Sequence, residues 1–147
     1  IMHYDHKQSE LINANTWKND FFNPQYNFGF GLSYTSFEYS NINIEKSDFL
    51  LSEKNIIVSV DVKNTGKRAG KEIIQLYARD HFASISPPLR KLVRYNKVLL
   101  ETGETKTVSF TVNFDELGFY NYDNLWTNEP GKHSFYIDNL QATFNLK

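Results

Sequence analysis

Residues 28–39 read FGFGLSYTSFEY, and the rest of the chain is organised around them. Gly29 and Gly31 sit among aromatic residues. Lacking Cβ atoms, they let the backbone take φ > 0 or pass close to another surface. Ser33, Tyr34 and Thr35 then lead into Phe37 and Tyr39, spaced as one apolar face of a strand requires. Before this stretch the chain has no regular period, and after it strand-like runs follow to the end. The stretch is expected to join a docking segment, residues 1–33, to a β domain, residues 34–147.

Upstream, residues 1–27 read IMHYDHKQSELINANTWKNDFFNPQYN. Polar residues alternate irregularly with large aromatic ones. A disordered linker is poor in aromatics, so this segment is expected to lie against a surface. The surface is either its own domain or a neighbour. The residues assigned to docking are Trp17, Phe21, Phe22, Tyr26, Phe28, Gly29, Phe30 and Gly31.

Downstream, Phe37 and Tyr39 face one way while Ile42 and Ile44 fall in the opposite phase. A bulge near Ser40 or Asn41 would reconcile them. Ile56, Val58, Val60 and Val62 alternate with Ile57, Ser59, Asp61 and Lys63, the clearest half-buried strand. Asn64 to Gly70 is turn-rich, and Ile74, Leu76 and Ala78 mark the next strand. Residues 80–88 (DHFASISPP) form a loop whose prolines end ladder pairing. Residues 93–100 make another strand, and Thr102-Gly103 turns it into Val108, Phe110 and Val112. Residues 115–117 predict one helical turn. Residues 119–122 and 125–127 read as a hairpin. His133, Phe135 and Ile137 form the next strand, and residues 142–146 the last.

These runs predict an all-β fold of about seven or eight short strands, with no amphipathic helix of useful length. Two antiparallel sheets packed face to face are the economical arrangement; a closed barrel is the alternative. Two Trp, nine Tyr and twelve Phe can fill a core. A formal charge of −1 supplies no field for nucleic acid or a membrane surface. The absence of cysteine excludes disulfides and thiol catalysis and leaves the redox compartment open. No apolar run approaches the ~18 residues of a membrane span. Ile1 is not an initiator residue and no signal-peptide core follows it, so the chain is expected to be a piece of something longer.

Chemistry-bearing constellations are weak. Glycoside hydrolysis needs two carboxyl groups about 5–10 Å apart; Glu72, Asp80, Glu101 and Glu116 are spread over strands and turns and read as solvated edges. His3 and His6 lack a third metal ligand, and His81 and His133 have no evident partner. Ser84 and Ser86 have no nucleophile-elbow context. Gly29-x-Gly31 lacks the third glycine of a phosphate cradle. Lys67, Arg68 and Lys71 read as a solubilising cluster. Trp17 and Trp126 can stack on sugar faces, although Trp126, at a strand end, reads first as core. No residue is assigned a catalytic, cofactor-binding or metal-ligating role.

Three runs occur in order: FNPQYNFGFGLSYTSFEYS (residues 22–40), VKNTGKRAGKEIIQLYARD (62–80) and KVLLETGETKTVSFTV (97–112). With NFDELGFYN and WTNEPGKHSFYI, they resemble the C-terminal fibronectin type III-like domain of glycoside hydrolase family 3 enzymes, the β-glucosidase and β-xylosidase group. MHYDHK, residues 2–7, resembles the segment that leads out of that family's preceding domain. The resemblance implies an immunoglobulin-like sandwich of about seven strands. It also implies a parent whose catalytic residues lie on other domains, so none carries over to residues 1–147. It implies a periplasmic or secreted parent. IDNLQ, residues 137–141, is shorter than the family's usual serine-containing loop there.

The expected function is therefore a non-catalytic accessory module that braces the catalytic domains of its own polypeptide or assists assembly. A carbohydrate-binding module and a generic immunoglobulin-like interaction unit are the alternatives. The expected partners are those catalytic domains, and a second copy for the isolated chain. No cofactor, nucleic acid or membrane is expected.

Overall fold

The computed structural model describes Tyr26 and residues 29–85 and 88–147. Its strands are β1 (Phe37–Ile44), β2 (Asp48–Phe49), β3 (Asn55–Asn64), β4 (Gly70–Asp80), β5 (Lys91–Leu100), β6 (Thr105–Asn113), β7 (Phe119–Tyr120), β8 (Trp126–Thr127), β9 (Gly131–Ile137) and β10 (Leu140–Leu146). One sheet has the order β1-β3-β6, a second the order β2-β10-β9-β4-β5, and β7 pairs with β8 beside them. This is the two-sheet arrangement that the strand runs predict, and not the barrel.

Alternation decides which side chains enter the core. Ile56, Val58, Val60 and Val62 of β3 are wholly buried, and Val58 lies directly opposite Phe110 of β6. From the second sheet Ile74 and Leu76, Phe135 and Ile137, and Phe144 and Leu146 meet them in one cluster. Phe49 closes its end, edge-on to Phe114 and Phe144 at centroid distances of 5.6 and 5.8 Å.

The phase change in β1 is a bulge. Its register on β3 shifts between Ser40 and Asn43, and Asn41 takes φ 54°. One extra residue returns Ile42 and Ile44 to the inner face. The helical turn is a 3-10 turn, Phe114–Leu117. The Asn113 side chain accepts from the Asp115 amide at 2.9 Å, and Glu116 reaches back to the Asn113 amide at 3.4 Å. This reciprocal cap satisfies amides that the short turn leaves unpaired.

Two features have no periodic signal. β2 is a two-residue parallel bridge to β10, too short to alternate. β5 begins at Lys91 and carries a register shift against Leu76 and Tyr77 of β4.

Candidate functional site

The four acids read as solvated edges do not pair with one another. Glu72 of β4 accepts a hydrogen bond from the Tyr39 hydroxyl at 2.7 Å. Glu101 lies exposed at the β5–β6 turn. Glu116 makes a bidentate ion pair with Arg94. Asp80 departs from its reading as a solvated edge. It sits inside the end of β4, with Oδ2 3.6 Å from His133 Nε2 and both side chains at most 10% exposed.

The histidines also have partners that linear reading missed. His133 Nδ1 lies 3.1 Å from the Gly131 carbonyl, and its ring stacks on Phe144. His81 Nε2 lies 2.9 Å from the Ser134 hydroxyl, which also meets Thr143 and Gln141. Burial, then the charges of Arg79 and Lys132, lowers the His81 pKa below its ordinary value. Strand pairing brings these groups together from 53 residues apart in sequence. Among the described residues no group of three or more His, Asp or Glu could hold a metal. His3, His6 and Ser86 lie outside the described residues. Ser84 takes part through its amide, which donates to Glu129 at 2.8 Å.

The segment that leads into β1 crosses the outer face of the second sheet. Gly29 has φ 83°, and its carbonyl accepts from Gln75 Nε2 at 2.9 Å. Gln75 Oε1 in turn accepts from the Tyr77 hydroxyl at 2.6 Å. A Cβ on Gly29 would fall 2.3 Å from that hydroxyl. The positive φ and the close approach together favour glycine here. Gly31 has open space around it. Beyond the contact the aromatics turn outward. Tyr26 and Phe30 stack at 4.8 Å, 61% and 55% exposed, and Tyr34 is 99% exposed. Ile73, Tyr95 and Leu99 of β4 and β5 are also exposed, and Ile73 and Phe30 line one notch. Trp17, Phe21, Phe22 and Phe28 lie outside the described residues.

Trp126 is not a core residue. It is 46% exposed, because β8 pairs only with β7 and lies beside the sandwich rather than inside it. Its Nε1 donates to the Asp115 carbonyl at 2.9 Å, Tyr120 packs edge-on at 4.9 Å, and the Lys91 ammonium lies 5.1 Å from the ring centre. The indole rests on Gly118, where a Cβ would come within 2.7 Å of Nε1. The ring is thus rigidly held and partly open to solvent.

The family model for the fibronectin type III-like domain matches residues 72–141. The chain is 44% identical over 126 residues to thermostable β-glucosidase B of Acetivibrio thermocellus, covering 84% of this chain and 16% of that protein. It is 41% identical over 114 residues to the periplasmic β-glucosidase of Salmonella typhimurium, covering 78% of this chain and 15% of that protein. The solved β-glucosidase of Listeria innocua in complex with glucose superposes with a TM-score of 0.83 at 30% identity. That match covers 99% of this chain and 22% of the other. The chain thus spans about a sixth of the length of these curated relatives. Among the described residues no helix is long and apolar enough to cross a membrane.

Proposed function

Because this chain belongs to the C-terminal fibronectin type III-like domains of glycoside hydrolase family 3 enzymes, we propose that it is a non-catalytic module that braces the catalytic domains of its own polypeptide. The observation that carries this reading is the entry path. Gly29 is fixed on Gln75 and Tyr77, the stacked Tyr26 and Phe30 stay exposed with Ile73 on the same notch, and Tyr34, Tyr95 and Leu99 are exposed as well. Large aromatics bury about 150–250 Å² each when fully covered. A contiguous patch of them marks an interaction surface. The catalytic domains are the occupant, since relatives of the same family carry most of their length outside the matched region.

The longer protein is read as an exported glycosidase acting on β-linked glucose or xylose, as its β-glucosidase and β-xylosidase relatives suggest. The isolated chain, with its docking face bare, self-associates. The test is light scattering over a range of concentration together with hydrogen exchange of residues 1–27. Association that grows with concentration, or rapid exchange in that segment, supports docking onto a neighbour. A strictly monomeric chain with residues 1–27 fully protected assigns the segment to its own sandwich and refutes the reading.

A second reading, a carbohydrate-binding module, is favoured by one observation: Trp126 is held rigid and half open. Calorimetry with cello- and xylo-oligosaccharides decides it. Micromolar binding lost in Trp126→Ala supports that reading over simple bracing.

A further inference from the structure

The five-stranded sheet does not pair along its whole length. β4 runs from Gly70 to Asp80, yet its ladder with β9 covers only Tyr77–Asp80. β9 ends at Ile137 and turns through Asp138, at φ 52°, into β10. β9 ends one residue beyond Tyr136, the last residue it pairs with β4, so the first half of β4 runs past the β9–β10 turn. The notch between them has a volume of about 320 Å³, at the small end of the ~300–1,000 Å³ typical of small-molecule sites. Since strand side chains alternate, both faces of β4 line it. Glu72 enters from one face, and Gln75 and Tyr77 from the other. Tyr39, Arg90 and Asp138 complete the polar wall, and Phe30 stands at the rim.

We propose that this notch binds a single pyranose unit, either free or at the end of a glycan, through its hydroxyl groups. The donor and acceptor set carries the inference. Glu72 and Asp138 are acceptors when ionised, whereas Arg90 offers only donors. The Arg90 guanidinium lies 4.2 Å from the Tyr136 ring centre. Among the described residues it forms no ion pair. Two carboxylates oppose an anionic ligand, and the guanidinium opposes a simple cation. A neutral polyol satisfies both, because each hydroxyl donates one hydrogen bond and accepts others.

The groups are also set in place before binding. The Tyr39 hydroxyl holds Glu72 at 2.7 Å. Burial, and next the Glu72 carboxylate, raise the phenol pKa well above its ordinary value, so it stays a donor. Gln75 is locked at both ends of its amide. Fixed side chains lose little freedom on binding, and the Phe30 ring offers an apolar face for the C–H side of a sugar. The notch shares Phe30, Ile73, Gln75 and Tyr77 with the face that the entry segment crosses, so the two readings are told apart by their readouts: saturable sugar shifts for the notch, scattering and exchange of residues 1–27 for docking.

The test is amide NMR of the 147-residue chain titrated with D-glucose, D-xylose and cellobiose, with L-alanine as a zwitterionic control. Saturable shifts are expected, centred on Ile73, Gln75, Asp138 and Asn139. Saturation by the monosaccharides assigns the free unit, and saturation by cellobiose alone assigns a glycan end. Glu72→Gln and Arg90→Ala should each weaken binding about tenfold, the scale of one hydrogen bond to a charged group. Thermal unfolding checks that each variant folds. Arg90 and Asn139 are exposed, so Arg90→Ala and Asn139→Ala decide the matter if Glu72→Gln does not fold. Linear or scattered shifts, unchanged affinity in the folded variants, or saturation by L-alanine alone overturns the proposal.

Discussion

The Thr35 hydroxyl donates to Asn64 Oδ1 across 2.9 Å, joining the last residues before β1 to the end of β3. Asn64 is wholly buried and uses its side chain at both ends. Nδ2 donates to the carbonyls of Arg68 and Leu100, at 2.8 and 3.1 Å, and Oδ1 also accepts from the Gly66 amide at 3.0 Å. One amide thus fastens the β3–β4 turn, the end of β5 and the entry segment. Such a fully satisfied buried group stabilises only while all its partners are present.

Asn64→Ala is therefore expected to cost about 3 kcal/mol, because it strands buried backbone carbonyls as well as removing bonds. Asn64→Asp should cost at least as much, since it sets a carboxylate oxygen against the Arg68 and Leu100 carbonyls. Urea unfolding of the variants measures both. A loss below ~1 kcal/mol would mean that water replaces the amide.

Phe110 faces Val58 in the core and is 5% exposed. Phe110→Ala is expected to cost roughly 3–5 kcal/mol, the range for deleting a buried aromatic side chain. Chemical denaturation measures it, with the exposed Tyr122→Ala as a control expected to change stability by less than ~0.5 kcal/mol.

The isolated chain is expected not to cleave aryl β-glucosides or aryl β-xylosides. The acids singled out in the sequence are held by different partners, Glu72 by Tyr39, Asp80 by His133 and Glu116 by Arg94. Turnover above background, abolished by changing one of the chain's own acids, would refute the non-catalytic reading.

Gly29→Ala should release the entry segment. The added Cβ would collide with the Tyr77 hydroxyl and with Gln75, and the residue would keep a positive φ that alanine resists. The Gln75 side-chain amide resonances should shift toward their free position while the global unfolding midpoint moves little. Unchanged Gln75 resonances would show that the contact does not hold the segment.

His81 gives the fold a pH dependence of known sign. Its pKa is lowered in the folded chain by burial, then by Arg79 and Lys132. The unfolded chain thus takes the proton first as pH falls through the ordinary value of 6.5. Stability is full above that value and declines below it, until the folded form also protonates. His81→Gln keeps a polar group near Ser134 and should flatten the decline that sets in below the ordinary value of 6.5. Thermal midpoints of both proteins on either side of that value provide the check; parallel curves would exclude His81 as the source.

The strands were legible because burial is written as a period of two. Val58, Val60 and Val62 declare their face, and the phase break after Tyr39 declares a bulge near Ser40 or Asn41. The ordered runs from Phe22 to Val112 likewise carried the family. Asp80, His133, His81 and Ser134 were not legible, since β4 and β9 are far apart in sequence and meet only through sheet pairing. Trp126 misled for a related reason: an aromatic at a strand end reads as core unless the strand lies outside the sandwich.

What the amino-acid sequence determined by itself was the all-β class, the inward face of each long strand and the family, because those rest on local alternation and on ordered motifs. The tertiary structure alone decided that Gly29 lies on Gln75 and Tyr77, that Asn64 fastens three segments, and that β4 outruns β9 and leaves a notch beside Glu72. Each of these depends on which residues meet across a sheet, and chain spacing does not encode that until the strands have chosen their partners and register.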